Sequence, residues 1–296
     1  MQYHNAPVRE GCDYLIRNNH NLGVFSSTYL REKIMTDTSR QKWEQAEVER
    51  SAFEAAHVVD RSRLVSDETQ VARYLDPPAD TAFPLEYSYH LLGDVRGKTV
   101  LEYGCGDGLN TVTLARRGAT IKALDISPDL IDIARQRLEV NHIEADVEFI
   151  VGSAHEVPLP DESVDVVFGM AVLHHLDLEQ SAREVHRVLR RGGRAIFQEP
   201  VRNSRLLKYI RSLIPYRAPD VSPFERPLTD KELSHYGKEF ASFRSKAFSL
   251  PTTSFISILP ATRKFAPAMY KYDHLALKKL PSLSHFAIIR VVEMVK

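Results

Sequence analysis

Three glycines, Gly104, Gly106 and Gly108, stand between an apolar run and a segment of helical spacing in the stretch VLEYGCGDGLNT at 100–111. No other feature narrows the fold as much. Val100, Leu101 and Tyr103 have the apolar and aromatic bias of a buried parallel strand, and Val112, Leu114 and Ala115 fall on one face of a helix over 109–117. Glycines between the two let the backbone turn sharply and approach a ligand that any Cβ would hold off, as in a nucleotide-binding turn. Spacing then selects the kind of turn. A dinucleotide fingerprint, G-x-G-x-x-G, needs its third glycine at 109, where this chain has Leu109; the pattern here is E-x-G-x-G-x-G, from Glu102 to Gly108.

Downstream, apolar strands and helical segments alternate from 93 to 199 without long interruption, the signature of parallel βαβ units. A second strand, 121–124, ends at Asp125, 21 residues after Gly104, where folds of this kind present a carboxylate to ribose hydroxyls. A third, 147–151, runs into Gly152-Ser153-Ala154. A fourth, 164–170, continues as AVLHHL; a helix over 178–189, the turn Arg191-Gly192-Gly193 and a fifth strand over 194–198 follow.

The glycine pattern resembles motif I of the class I S-adenosylmethionine-dependent methyltransferases, and the block SVDVVFGMAVLHHL…EVHRVLRRGGRAIF resembles their small-molecule branch; together the likeness spans about 86–200. It implies a Rossmann-like doubly wound α/β sheet, mostly parallel with an antiparallel last strand. It also implies S-adenosylmethionine as cofactor and S-adenosylhomocysteine as product. The residues it places around the cofactor are Glu102 for the ammonium group, Tyr103, Gly104, Gly106, Gly108, Asn110 and Thr111 at the turn, and Asp125 with Ile126 for the ribose. Ser153 and Ala154 fall beside the adenine, with Ser153 where the family usually has an acid, and Gly169 lies on the fourth strand.

His174, His175 and Glu199 follow the fourth and fifth strands, on the rim where open α/β sheets bind ligands. Either histidine suits a general base for a phenol or hydroxyl, or a packing role; Glu199 suits orienting a substrate or pairing with Arg202 or Arg205. Tyr87, Tyr89, Phe224 and Tyr236 are candidates for an aromatic pocket wall or for plain core. No metal is expected, because of the rim carboxylates only Glu199 qualifies. DVVFGMAV at 165–172 lacks the N/D-P-P-Y/F motif of enzymes that methylate nucleic-acid amino groups.

The flanks divide the chain further. Residues 1–38 read as a flexible arm and 39–92 as a helical lid, beginning with a helix from a Ser39 cap to about 58. The core is 93–200, and 201–296 is a C-terminal substrate-pocket insertion with the strands that close the sheet, at 241–250 and 286–295. Thr229-x-x-Glu232 is a capping box. Acceptor specificity is expected in the flanks, with 93–199 keeping some cofactor affinity when 39–85 are removed.

Lys plus Arg and Asp plus Glu both total 39, so no net field attracts nucleic acid. Only Cys12 and Cys105 are present, and neither a signal sequence nor an apolar run of spanning length is visible, which reads as cytoplasmic. Arg202, Arg205, Lys208, Arg211 and Arg217 alternate with aliphatic residues; the plain reading is a solvated helix face, the sharper one peripheral contact with an anionic membrane and a lipophilic acceptor. The expected function is methyl transfer to a small or medium-sized, apolar acceptor at oxygen, carbon or nitrogen; the alternative is a cofactor-binding scaffold or partner subunit without turnover. Oligomeric state is left open.

Overall fold

A computed structural model of the chain describes residues 37–56, 61–205, 207, 209, 226–258 and 262–296. The arm up to residue 36, Lys208, Arg211, Arg217 and Phe224 lie outside the described residues.

The sheet has seven strands: β1 (Thr99–Tyr103), β2 (Thr120–Asp125), β3 (Val147–Val151), β4 (Val164–Met170), β5 (Leu189–Pro200), β6 (Ser242–Phe248) and β7 (Ile289–Val295), in the order β3-β2-β1-β4-β5-β7-β6. The first five are mutually parallel, and β7 runs antiparallel to both β5 and β6. Strand order reverses between β1 and β4, so the loops leaving their carboxyl ends diverge and open a crevice there. β5 starts at Leu189 rather than 194, with a register break opposite Val164–Val166 that takes up the Gly192 turn. β7 starts later than 286 because residues Pro281–Phe286 form a 3-10 turn.

Period-two burial builds the core on both faces. Val100, Ile121, Val166, Ile196 and Val291 pack to one side, against Tyr89 and Leu92 of a helix at Pro84–Leu92. Leu101, Val167, Phe197 and Val292 pack to the other, against Val185 and Val188 of a helix at Leu178–Val188. Tyr89 and Tyr236 are buried in these two clusters, and Tyr87 lies on Phe248 with the Lys246 ammonium above its ring.

Among the described residues the helices include, in chain order, α1 (Asp37–Ala56), α2 (Glu68–Leu75), α3 (Pro84–Leu92), α4 (Leu109–Arg116), α5 (Pro128–Val140), α6 (Leu178–Val188), α7 (Asp230–Tyr236), α8 (Pro251–Ile258) and α9 (Ala266–Lys279). The chain is already helical at Asp37, so Ser39 lies inside α1 rather than capping it. Asp67 and Ser127 cap α2 and α5 by accepting backbone N–H bonds, and Thr229 with Glu232 forms the capping box of α7. The segment between β6 and β7 holds α8 and α9, tied together where the fully buried Asp273 accepts hydrogen bonds from Leu250 N and Thr252 Oγ1. Among the described residues no helix is long and apolar enough to cross a membrane.

Candidate active site

The glycine turn leaves β1 and is stitched to the end of β2. The N–H groups of Gly104 and Cys105 both donate to Leu124 O at 2.9 Å, and Gly106 N–H donates to Asp125 Oδ2 at 2.8 Å. Asp125 Oδ1 accepts from Ser127 N–H at 3.0 Å, so both carboxylate oxygens hold backbone donors; burial nevertheless raises its carboxyl above the ordinary value. Gly104 and Gly108 adopt φ of +76° and +80°, and a Cβ on either would stand 2.8 Å from a neighbour, Val172 Cγ2 and Ala134 Cβ respectively. Arg137 pins the loop from α5 by bonding Asp107 O and Asp107 Oδ2.

Several expected cofactor residues stand behind this wall rather than on it. Glu102 is 2% exposed and accepts from Thr111 Oγ1 at 2.6 Å, while its Oε1 has no hydrogen-bond partner; burial pushes its carboxyl up to about 8. The Asn110 side chain accepts from Tyr89 Oη at 2.9 Å. Tyr103 points into the opposite core cluster, where its hydroxyl bonds Ala154 O and Ser181 Oγ. Gly169 is glycine because the Phe197 ring would lie 2.6 Å from its Cβ. Gly104, Gly106, Asp125, Ile126, Ser153 and Ala154 do line the crevice.

The facing wall is α1, which turns Trp43, Glu44, Glu47, Arg50 and Ser51 inward at the three- and four-residue spacing of one helix face. Helical spacing of Trp43, Ala46, Phe53 and Ala56 marks an apolar stripe on this helix in the sequence, but not the charged residues beside Trp43 that face the crevice. Glu44 Oε1 accepts from Ser153 Oγ at 2.5 Å and meets His155 Nδ1 at 2.9 Å. His155 Nε2 accepts from Asp177 N–H at 2.9 Å, so the ring carries its hydrogen on Nδ1 and donates it to Glu44. Thus the acid that Ser153 lacks is present beside it, supplied by a residue 109 positions earlier.

Beyond β4 the chain bends through Ala171, whose φ of +53° is left-handed although it carries a Cβ, into a 3-10 turn at Leu173–His175. Glu199 lies beneath this turn rather than on the rim. It is fully buried, its Oε1 accepts from Val172 N at 2.9 Å and Leu173 N at 2.8 Å, and its Oε2 meets His174 Nδ1 at 2.8 Å. Its partners are therefore the turn, not Arg202 or Arg205. His175 lies against His174 with ring centroids 4.1 Å apart and the planes tilted by 40°, and it faces the crevice, its Nδ1 lying 3.3 Å from Glu47 Oε2. Burial would raise the Glu47 carboxyl, but His175 and Arg50 outweigh it and lower it to about 2.

The family model described as a methyltransferase domain matches residues 101–197. An uncharacterised 37.1 kDa protein in transposon TN4556 of Streptomyces fradiae is 31% identical over 78% of this chain and 66% of its own length. A fatty-acid O-methyltransferase of Mycolicibacterium smegmatis is 35% identical over 46% of each chain. The chain thus spans about half to two thirds of the length of these curated relatives. Among solved structures, a geranyl diphosphate C-methyltransferase from Streptomyces coelicolor A3(2) is similar at 16% identity and a TM-score of 0.49, over 80% of this chain and 87% of that one. With the domain match falling on the strands, glycine turn and Asp125 that form the crevice, residues 101–197 are a methyltransferase domain of the class I S-adenosylmethionine-dependent kind.

Proposed function

We propose that this protein binds S-adenosylmethionine in the crevice between the β1–β4 switch point and α1, and transfers its methyl group to a small, apolar acceptor. The observation that carries this reading is the join of two strand ends: a glycine turn with no room for Cβ atoms, held by a carboxylate whose oxygens both accept backbone N–H bonds. The residues suit the cofactor. Asp125 offers acceptors for ribose hydroxyls, and Glu44 with Ser153 offers acceptors for an exocyclic amine, whereas Glu102 stands behind the turn and supports it from within. When bound, the cofactor supplies a methyl group already activated on a sulfonium sulfur.

The chain's own work is then alignment, exclusion of water and, for some acceptors, removal of a proton. α1 serves as a lid, its polar face completing the crevice, and His174, His175 and Glu199 organise the turn over β4. The flanks, 39–92 and 201–296, shape the acceptor side. Isothermal calorimetry with S-adenosylhomocysteine tests the cofactor, and its formation from S-adenosylmethionine across an acceptor panel tests turnover. Micromolar binding that Asp125→Ala weakens is expected; no binding by the intact chain sinks the reading.

A further inference from the structure

The two adjacent histidines differ in what stands behind them. His174 Nδ1 is engaged by Glu199, which is fully buried and also holds two backbone N–H groups, so that pair braces the turn. His175 faces the crevice, and the carboxylate at its Nδ1 comes from a different part of the chain, Glu47 on α1. Glu47 Oε1 is held by Arg50 Nε at 2.5 Å, which leaves Oε2 aimed at the imidazole, and neither Oε2 nor Nδ1 has a hydrogen-bond partner besides this 3.3 Å approach. Both side chains are about nine-tenths buried, at 9% and 11% exposed. In such surroundings an ionised carboxylate fixes the tautomer with hydrogen on Nδ1 and leaves Nε2 as the basic nitrogen. His175 Nε2 enters none of the hydrogen bonds among the described residues.

We propose that Glu47 is the positioning residue that holds His175 as a proton acceptor, so that the acceptor methylated here is a hydroxyl compound rather than a carboxylic acid. This rests on the methyl-transfer reading above. A carboxylic acid is already ionised near neutral pH and needs no base, whereas a phenol or alcohol must lose its proton as its oxygen attacks. The hydroxyl proton passes to His175 Nε2, the freed oxygen pair bonds the methyl carbon, and the pair of the breaking carbon–sulfur bond stays on sulfur as a thioether. The resulting imidazolium lies beside the Glu47 carboxylate, which stabilises it. Because Glu47 belongs to α1, the pair exists only when the lid is closed, and proton removal is thereby confined to the water-excluded state.

Other charged groups bear on His175. Arg50 of α1 and Asp125 at the end of β2 line the same crevice, as do Glu44 and His155, and on its own turn the His174 ring lies at 4.1 Å with Glu199 of β5 behind it. Among the described residues Glu47 is the carboxylate that meets a nitrogen of its ring.

The deciding measurement is the imidazole titration of His175, followed by NMR in the full chain saturated with S-adenosylhomocysteine, with His175→Gln assigning the signal. Glu47→Gln should move the midpoint down by about one pH unit, roughly a tenfold weaker hold on the proton, and leave His174 in place; Glu47→Asp, which keeps the charge, should recover most of it. The acid limb of kcat/KM for methylation of catechol should move by the same amount, and His175→Gln should lower kcat by about 100-fold or more while S-adenosylhomocysteine still binds. An unmoved His175 midpoint in Glu47→Gln overturns the proposal, as does methylation of octanoate at a rate indifferent to His175→Gln; with cofactor binding intact, either result leaves the methyltransferase reading standing. Failure of the intact chain to bind S-adenosylhomocysteine overturns both.

Discussion

Gly106 donates its backbone N–H to Asp125 Oδ2 at 2.8 Å, so the turn after β1 and the end of β2 are one hydrogen-bonded unit. The carboxylate that shapes the glycine turn is thus the same one proposed to hold the ribose. Its second oxygen accepts from Ser127 N–H, which fixes the side chain in the orientation that both tasks require.

Asp125→Asn tests this double use. The amide keeps the shape but presents an NH2 group to one of the two backbone donors, leaving that N–H unsatisfied at a cost of about 1–3 kcal/mol. Unfolding by urea should reveal that loss. Calorimetry should show S-adenosylhomocysteine bound at least about tenfold more weakly, or 1.4 kcal/mol. Stability lost with affinity unchanged would confine Asp125 to architecture.

Glu102 makes stability depend on pH in a definite direction. Its folded carboxyl keeps a proton up to about 8, whereas the unfolded chain releases it near 4.5. Between those values the unfolded state binds fewer protons, so this group lowers stability as pH rises. Relative to wild type, Glu102→Gln should therefore gain stability from pH 5 to pH 8, on the order of a few kcal/mol at most, because an amide stands in for the neutral acid. A constant difference between the two proteins across that range would show that Glu102 is ionised throughout.

Gly108 and Gly97 separate backbone strain from crowding. Both have positive φ, +80° and +70°, but a Cβ at 108 meets Ala134 at 2.8 Å whereas nothing lies within 4 Å of one at 97. Gly97→Ala should cost about 1–2 kcal/mol, the price of a left-handed conformation. Gly108→Ala should cost about 1–3 kcal/mol beyond that, because α5 must shift to admit the methyl group. Equal midpoints in guanidinium would mean that α5 yields freely.

Removing the Glu44 carboxylate should disturb both walls of the crevice. Glu44→Ala deprives the buried His155 Nδ1–H and the Ser153 hydroxyl of their acceptor, a loss of about 1–3 kcal/mol. Affinity for S-adenosylhomocysteine should fall by about tenfold or more, since α1 supplies part of the crevice lining; deletion of α1 altogether should abolish binding, against the expectation that the core alone retains some. Undiminished binding by either protein would reduce α1 to a cover.

What the sequence determined by itself lies in short-range pattern. β1 through β4, the positive-φ glycines, Asp125 at the end of β2 and the Thr229–Glu232 capping box are legible because each is set by neighbours within a few residues, through alternation, helical spacing or turn chemistry. Tertiary structure decided the rest. Glu44 reaches Ser153 across 109 residues of chain, and no local rule says which polar stripe of α1 turns inward. Glu199 reads as a rim residue from its place after β5, yet it is buried beneath the turn because three donors, on Val172, Leu173 and His174, converge there once β4 and β5 are paired. Tyr103 and Gly169 sit in or beside the glycine motif and the fourth strand, but their side-chain space is set by the opposite face of the sheet. Sequence specifies where a backbone can turn and which strands can be buried; which charged groups then meet depends on how helices lie over that sheet, and that is fixed by packing between segments far apart in the chain.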